Sequence, residues 1–396
     1  SISANNIRLA GIDGAIHYEK GLATLALNSQ HAEIEITELF RGPLSAETIA
    51  GQLVLNLDGD NWQLHTDRLQ LKNNHINTFS RLDAAFSSAE DVFIDMQTDF
   101  YNADARYTGH YLPVGIMSSA VVDWLDMAIL DGHVKSGSFI IHGDLNRFPF
   151  DRHDGVFQVL FSPHNVNMRF LKDWPLLTDA SAAIKFFNKS LVVKHAQAKT
   201  QGAKLFNGRV EILDLTDPQL TVITKAQAKN EDIQSYIWQT PLDASLGEAL
   251  RLFQFDGNSR LDLKIDVPLK KKKADVEIDG RLKLVDSKIY YPLLDYEINS
   301  INGEFGFSKD TIFAEAIKAK VQDEDVSIDA FTREADSGRE MVFQLDGIIA
   351  ADYLLRRYDW LPENLVSGKS NWSVEIAAPS LTNDHLVQIK ADSYLD

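Results

Sequence analysis

Residues 111–161, YLPVGIMSSAVVDWLDMAILDGHVKSGSFIIHGDLNRFPFDRHDGVFQVLF, carry two hydrophobic periods in succession, and the change between them decides the fold. Met117, Val121, Trp124, Leu125 and Ala128 recur at helical spacing, and Pro113 suits the first turn of a helix, where a missing N–H costs nothing. Gly132 is expected to stop that helix. After Gly137 the period falls to two: Phe139 and Ile141, then Phe157, Val159 and Phe161, alternate with the residues between them, as strand residues do.

The same joint recurs. DGHVKSGSFIIHGDL (131–145), DGNSRLDLKIDVPL (256–269) and SGKSNWSVEIAAPSL (367–381) align, and Gly137, Gly257 and Gly368 stand 120 and 111 residues apart. Helical segments are expected ahead of the second copy, over 231–255 with Leu246, Ala249, Leu250 and Phe253 on one stripe, and ahead of the third, over 350–358. Gly51, after the apolar segment 43–50, marks a fourth, truncated copy. Repetition at about 115 residues points to an array rather than separate globules. The division expected is 1–110 as a partial repeat, 111–230 and 231–349 as helix plus strands, and 350–396 as the start of a further, truncated repeat.

Between the joints the chain alternates. IDGAIHYE, GLATLALN and AEIEIT read as strands of the first segment. Leu53, Leu55 and Leu57 follow with one apolar face, and Trp62 with Leu64, then Leu69 with Leu71, continue it beyond Asp-Gly and His-Thr-Asp breaks. Residues 84–105 carry it on less cleanly. Further on, Val166, Met168 and Phe170 share a face, as do Ile184 with Phe186 and Leu191 with Val193. Leu261, Leu263 and Ile265 lead to Val276 and Ile278, then Leu282 and Leu284, Phe305 and Phe307, and finally Trp372 and Val374. With Phe139, Ile141, Phe157, Val159 and Phe161, and without Trp62, Leu64, Leu69 and Leu71, these residues are the candidate apolar lining.

The fold class expected is mainly β with a few short helices. Strands of about eight residues span about 26 Å, and some twenty of them make an antiparallel sheet on the order of 100 Å long. A sheet with a single apolar face cannot be left open to water, and three short helices are too few to cover it. Folding the sheet lengthwise into a trough, with an apolar lining, is the preferred solution; the rival is a structural or adhesive β-repeat scaffold with a dry core and protein partners.

Composition narrows the partners. Apolar residues make up 44% of the chain, enough for a sizeable core or lining. A formal net charge of −18 argues against nucleic acid and against electrostatic attachment to an anionic membrane surface. The one basic run, 270–273, reads as a solvated turn. Cysteine is absent, which excludes disulfides, thiolate metal sites and Cys nucleophiles. The eleven histidines show no HExxH or His-x-His spacing, and His142, His153 and His164 flank different strands. Ser367-Gly368-Lys369-Ser370 lacks the upstream glycine of a P-loop, since Glu363 stands there, and leads into a strand. No G-x-S-x-G occurs, and nothing selects a carboxylate pair; neither an enzyme nor a cofactor is expected. No run of about 18 apolar residues is present. The chain begins inside a strand-like pattern, Ser1 to Leu9, so an anchoring or targeting segment is expected to lie outside it.

Four segments carry a family resemblance: YLPVGIMSSAVVDWLDMAILDGHVKSG (111–137), GDLNRFPF (143–150), GVFQVLF (155–161) and FLKDWPLL (170–177). They resemble the YhdP family of AsmA-like proteins of Gram-negative bacteria. Residues 255–312 are similar to the looser, widely shared AsmA-type repeat. The resemblance implies a bridge-like protein of repeating β-grooves, anchored in the inner membrane and reaching through the periplasm, that moves phospholipid toward the outer membrane. Implied partners are phospholipids, the inner membrane through the missing N-terminal anchor, and envelope proteins at the ends. The family has no catalytic motif to carry over.

Overall fold

In a computed structural model, residues 2–4, 7–59, 61–87, 92–243, 251, 253–270, 276–292, 295–309, 311–335, 338–350, 368–379 and 388–394 are described. The chain is 71% strand and 9% helix, so it is a mainly β protein with short helices, as the alternation predicts. Of the helical segment expected over 231–255, residues 231–238 are helix and 254–255 strand, while 244–250 lie outside the described residues; of that expected over 350–358, residue 350 ends a strand and the rest lies outside them.

The chain divides into two compact units: residues 1–172, 176–198 and 209–219 form one, and 173–175, 199–208 and 220–396 the other. In the first, β1 (Ile2–Ala4), β2 (Ile7–Ala10) and β3 (Gly14–Glu19) precede the long β4 (Leu22–Ile36). β2 and β3 both pair with one side of β4. β5 (Leu44–Asp58) covers the other side, and β6 (Asn61–Lys72), β7 (Asn77–Phe86) and β8 (Val92–Asp104) follow as an antiparallel meander. Two short helices, α1 (Thr108–Tyr111) and α2 (Ser119–Ala128), interrupt it before β9 (Ile129–Asp144), β10 (Val156–Met168) and β11 (Leu177–Phe187) resume the ladder.

β12 (Ser190–Thr200), β13 (Ala203–Ile212) and β14 (Gln219–Lys229) come next in the chain, and α3 (Asn230–Trp238) opens the joint of the second unit. There β15 (Gln254–Pro268), β16 (Glu277–Tyr291), β17 (Tyr296–Ser308), β18 (Ile312–Val321), β19 (Glu324–Ala335), β20 (Gly338–Ala350), β21 (Lys369–Pro379) and β22 (Gln388–Tyr394) pair in sequence, all antiparallel. Consecutive pairing of this kind needs only short connections.

Several local expectations are corrected. Most strands hold ten to sixteen residues rather than about eight: GLATLALN and AEIEIT are the two ends of β4 alone. The segment 43–50 is strand, the first half of β5. α2 begins at Ser119, so Pro113 lies in the turn before it. Its buried face carries Val122 and Ala128, while Val121 and Trp124 are exposed. The stripe is rotated because the helix has only ten residues and docks by its C-terminal half, where Arg169 N–H donates to the Ala128 carbonyl at 2.8 Å. Trp124 uses its ring N–H instead, donating to the Phe170 carbonyl at 2.9 Å.

Gly132 does not stop a helix, since α2 ends at Ala128. Gly51, Gly132 and Gly257 sit inside β5, β9 and β15, each at a shift in ladder register. At Gly257 the backbone adopts φ +99°, and an added Cβ would stand 2.7 Å from Ser287 Cα and 2.9 Å from the Asp286 carbonyl oxygen. Glycine is there because a neighbouring backbone passes where a side chain would be. Asn230, at the start of α3, closes the same place. Its side chain donates to the Asp256 carbonyl at 2.8 Å and to Ser287 Oγ at 2.9 Å, and accepts from Ser259 Oγ at 2.5 Å.

Gly257→Val is therefore expected to destabilise the second unit by about 2–3 kcal/mol through left-handed strain and backbone collision. Urea unfolding measures it, and a loss below about 0.5 kcal/mol, the range of an ordinary surface change, would show that the site relaxes freely.

Candidate functional site

Directly opposed residues of an antiparallel ladder project to the same face, so the registers trace one surface across each unit. In the first unit Leu53 faces Leu25 of β4, while Leu55 and Leu57 face Leu64 and Trp62 of β6. Those two oppose Ala84 and Phe86 of β7, and Ala84 opposes Ile94 of β8. Met96 of β8 then meets Ile141, and Phe100 meets Gly137, on β9. Phe139 and Ile141 oppose Val159 and Phe157 of β10, and Val159 and Phe161 oppose Phe186 and Ile184 of β11. The alternating apolar residues of eight strands share one face.

The second unit repeats the arrangement. Leu261, Leu263 and Ile265 face Leu282, Gly280 and Ile278. Leu282 faces Phe305, Gly280 faces Phe307 and Leu284 faces Gly303. Val276 lies one residue before β16, half-buried and in phase with Ile278. Across β18 to β21, Ile317 opposes Ile328, Ile328 opposes Leu345, and Leu345 opposes Val374, with Trp372 opposite Gly347 on the same face.

Long strands hold this face in phase by bulging. In β4, exposed Gln30 and His31 separate buried Ser29 from buried Ala32. β10 does the same with His164 and Asn165 ahead of Val166, β16 with Val285 and Asp286 ahead of Ser287, and β18 with Glu315 and Ala316 ahead of Ile317. In each, the second outward residue takes a left-handed conformation: His31 φ 56°, Asn165 φ 52°, Asp286 φ 45° and Ala316 φ 50°. Inserting one residue shifts the alternation by one, and the apolar face continues beyond it.

This face is half covered. Leu53, Leu55, Phe139, Ile141, Phe157, Val159, Phe161, Ile184 and Phe186 are half-buried, as are Leu191 and Val193 on β12. So are Leu261, Leu263, Ile265, Ile278, Leu282, Leu284, Phe305, Phe307, Trp372 and Val374. Val166 is buried, Met168 half-buried opposite Leu177, and Leu57 is 44% exposed. Phe170 departs from the expectation. It lies in a bend beyond the end of β10, where its carbonyl caps Trp124. Trp62 and Leu64 of β6, read as continuing the alternation, also lie on this face; those not singled out are Phe86 of β7, Ile94, Met96 and Phe100 of β8, and Ile317, Ile328, Phe343 and Leu345 of β18 to β20. Their period of two, as in VFIDMQTDF (92–100), is the signal that finds them.

Each unit is thus an open antiparallel sheet with one apolar face, which defines a mainly β sheet protein. The family follows from the sequence: a model described as YhdP protein matches residues 4–396, and the chain belongs to the YhdP family. Among relatives, the "Intermembrane phospholipid transporter YhdP" of Escherichia coli (strain K12) is 24% identical over 331 residues, covering 83% of this chain and 26% of the relative. The chain thus spans about a quarter of that relative's length. No solved structure matches. No described helix is long and apolar enough to cross a membrane.

The opposite face carries the charges. Across β6 to β9, His65 opposes Asp83, Asp83 opposes Asp95, and Asp95 opposes His142. His65 Nδ1 lies 2.6 Å from Asp83 Oδ1, and Nε2 lies 3.4 Å from Asp67. The hydrogen bond with Asp83, helped by the attraction of Asp83 and Asp67, raises the His65 pKa above 6.5. A raised value means that the folded state holds the proton more tightly than the unfolded chain. The stabilisation is complete below about pH 6.5, the unfolded value, and is lost as pH rises through the folded one. Thermal unfolding of His65→Gln between pH 6 and 8 should show a shallower loss of Tm than the parent; an unchanged slope would mean that the pair contributes nothing.

Proposed function

We propose that this chain is a lipid-binding segment of a bridge-like envelope protein, which shields phospholipid acyl chains on its apolar face during movement between inner and outer membranes. The observation that carries the reading is that face, continuous across the strands of each unit, with most of its large apolar residues half-buried. A dry core would bury its large apolar residues, whereas among the described residues the largest fully buried apolar side chains are Phe150, Ile301, Ile349 and Val342. An acyl chain of about sixteen methylenes laid on the apolar face returns roughly 13 kcal/mol gross, before association costs.

Three further points support it. A bulge bends the strand that carries it, and bulged strands stand side by side in both units, which suits walls curved about a cargo. The joint glycines Gly51, Gly132 and Gly257, each at a register shift, suit a trough built of repeats. The relative of matching sequence is named an intermembrane phospholipid transporter, which supports phospholipid as the proposed cargo and the cell envelope as its place.

Native mass spectrometry with organic extraction tests the proposal. Phospholipid at one or more molecules per chain is expected. Phe157→Asp in the first unit and Leu263→Asp in the second should each lower the occupancy, with strand content by circular dichroism largely unchanged. A lipid-free mass together with no uptake of added phospholipid would overturn the reading in favour of a scaffold. Loss of folding in both variants would assign these residues to an ordinary core.

A further inference from the structure

The connection between β9 and β10, residues 145–155, contains most of the segment GDLNRFPF, and neither the ladder nor the groove lining accounts for that segment. The loop folds inward. Phe150 is 0% exposed although it belongs to a surface connection. Its ring occupies the space above two glycines: a Cβ on Gly143 would stand 2.8 Å from Phe150 Cε1, and one on Gly155 would stand 2.3 Å from Phe150 Cδ1. Gly143 is in phase with Phe139 and Ile141, and Gly155 with Phe157, so the ring lies on the apolar face at the end of these strands.

Phe148 stands beside it. This ring is 42% exposed, 5.8 Å from the Phe150 ring and 5.4 Å from the Phe157 ring, edge to face with both. Phe157 in turn lies 5.8 Å from Phe139. A large aromatic side chain therefore reaches the lining from a loop, with one side packed and the other open to water.

The loop is fastened. Asn188 Nδ2, at the turn after β11, donates to the Phe150 carbonyl at 3.1 Å. Asn188 Oδ1 accepts from Phe157 N–H at 2.9 Å, and Asn188 N–H donates to the Phe157 carbonyl at 2.8 Å. Arg147 pairs with Asp144 and Asp154 at 3.5 Å each, joining the two ends of the loop. Held at both ends and in the middle, it cannot swing away without breaking these contacts.

We infer that residues 145–155 form a fixed lip over the groove at β9 and β10, and that Phe148 is a lipid-contacting residue on it. The acyl chain lies on Phe139 and Phe157 and is covered from the side by the Phe148 ring. Phe150, seated on the two glycines, fills the end of the strands and keeps the chain from passing beyond it. The ligand class is a phospholipid acyl chain, and the inference rests on the groove reading.

Photocrosslinking separates the two. A benzophenone amino acid is placed at Phe148, at Phe157, or at Leu160 on the opposite face, and each protein is incubated with phosphatidylethanolamine–phosphatidylglycerol vesicles before irradiation. Crosslinked phospholipid is expected from positions 148 and 157 and not from 160. Crosslinking at 157 without 148 overturns the lip and leaves the groove standing. Crosslinking at 148 without 157 overturns the sandwiched chain, and crosslinking at neither overturns groove and lip together. Phe148→Ala, whose ring is already half in water, should retain the parent unfolding midpoint and bind phospholipid about three- to tenfold more weakly, the loss expected for part of one aromatic contact. Unchanged affinity would refute the contact.

Discussion

Phase is the constraint on which the rest depends. Side chains alternate with a period of two, so one uncorrected slip would send every apolar residue of a strand to the wet face. A strand of eight residues avoids the difficulty; β4, β9 and β15, with 15, 16 and 15 residues, cannot, because their register with twisted neighbours drifts along such a length. In β4, β10, β16 and β18 the chain restores the phase by leaving two successive residues outward and placing the second in the left-handed region. Residues that tolerate that region, such as His31, Asn165 and Asp286, do most of this. Glycine takes over where a backbone also approaches, as at Gly257.

A face kept in phase but left half open shifts stability to other terms. Buried clusters are small: Leu27, Ala32, Ala46 and Ile49 in the first unit, and a larger group around Ile301, Ile317 and Ile349 in the second. Lateral contact between neighbouring strands supplies the remaining burial, along with the backbone ladder itself. On the other face, cross-strand charge rows such as His65–Asp83 and Lys225–Asp262 are exposed pairs, worth little individually. Their larger effect is to keep that face hydrated, so that water divides the two sides of each sheet as sharply as the alternation does.

Alternation made the strands and their apolar face legible in the sequence, and the bulges are where the reading stopped short. GLATLALN and AEIEIT are separate alternating runs because the insertion at Gln30–His31 resets the period; read alone, each looks like its own strand. The same break divides Trp62 and Leu64 from Leu69 and Leu71 in β6, where the register shifts between Thr66 and Leu69. Gly132 lies inside β9 instead of stopping a helix for a related reason. Glycine serves equally where a helix ends and where a strand must admit a neighbour, and the sequence shows only the residue. Phe170 failed because spacing from Val166 and Met168 continues past the end of β10, which only the bend at that point reveals.

The lip shows how such a face can confine a cargo without becoming a closed core. A helix laid over the lining would displace the acyl chain it is meant to cover, since both want the same apolar area. A loop entering from the strand ends does not compete in this way, provided its own apolar side chain has somewhere to sit. Gly143 and Gly155 supply that seat by withholding two side chains from the lining, and Phe150 returns more apolar surface than they removed. Phe148 is then free to stand half in water beside Phe157, where a ring with no cargo against it is tolerable and a ring with cargo is better. The spacing of this segment follows from that division of labour: a glycine to make room, a few residues to turn, one aromatic to fill the room, and another to meet the ligand.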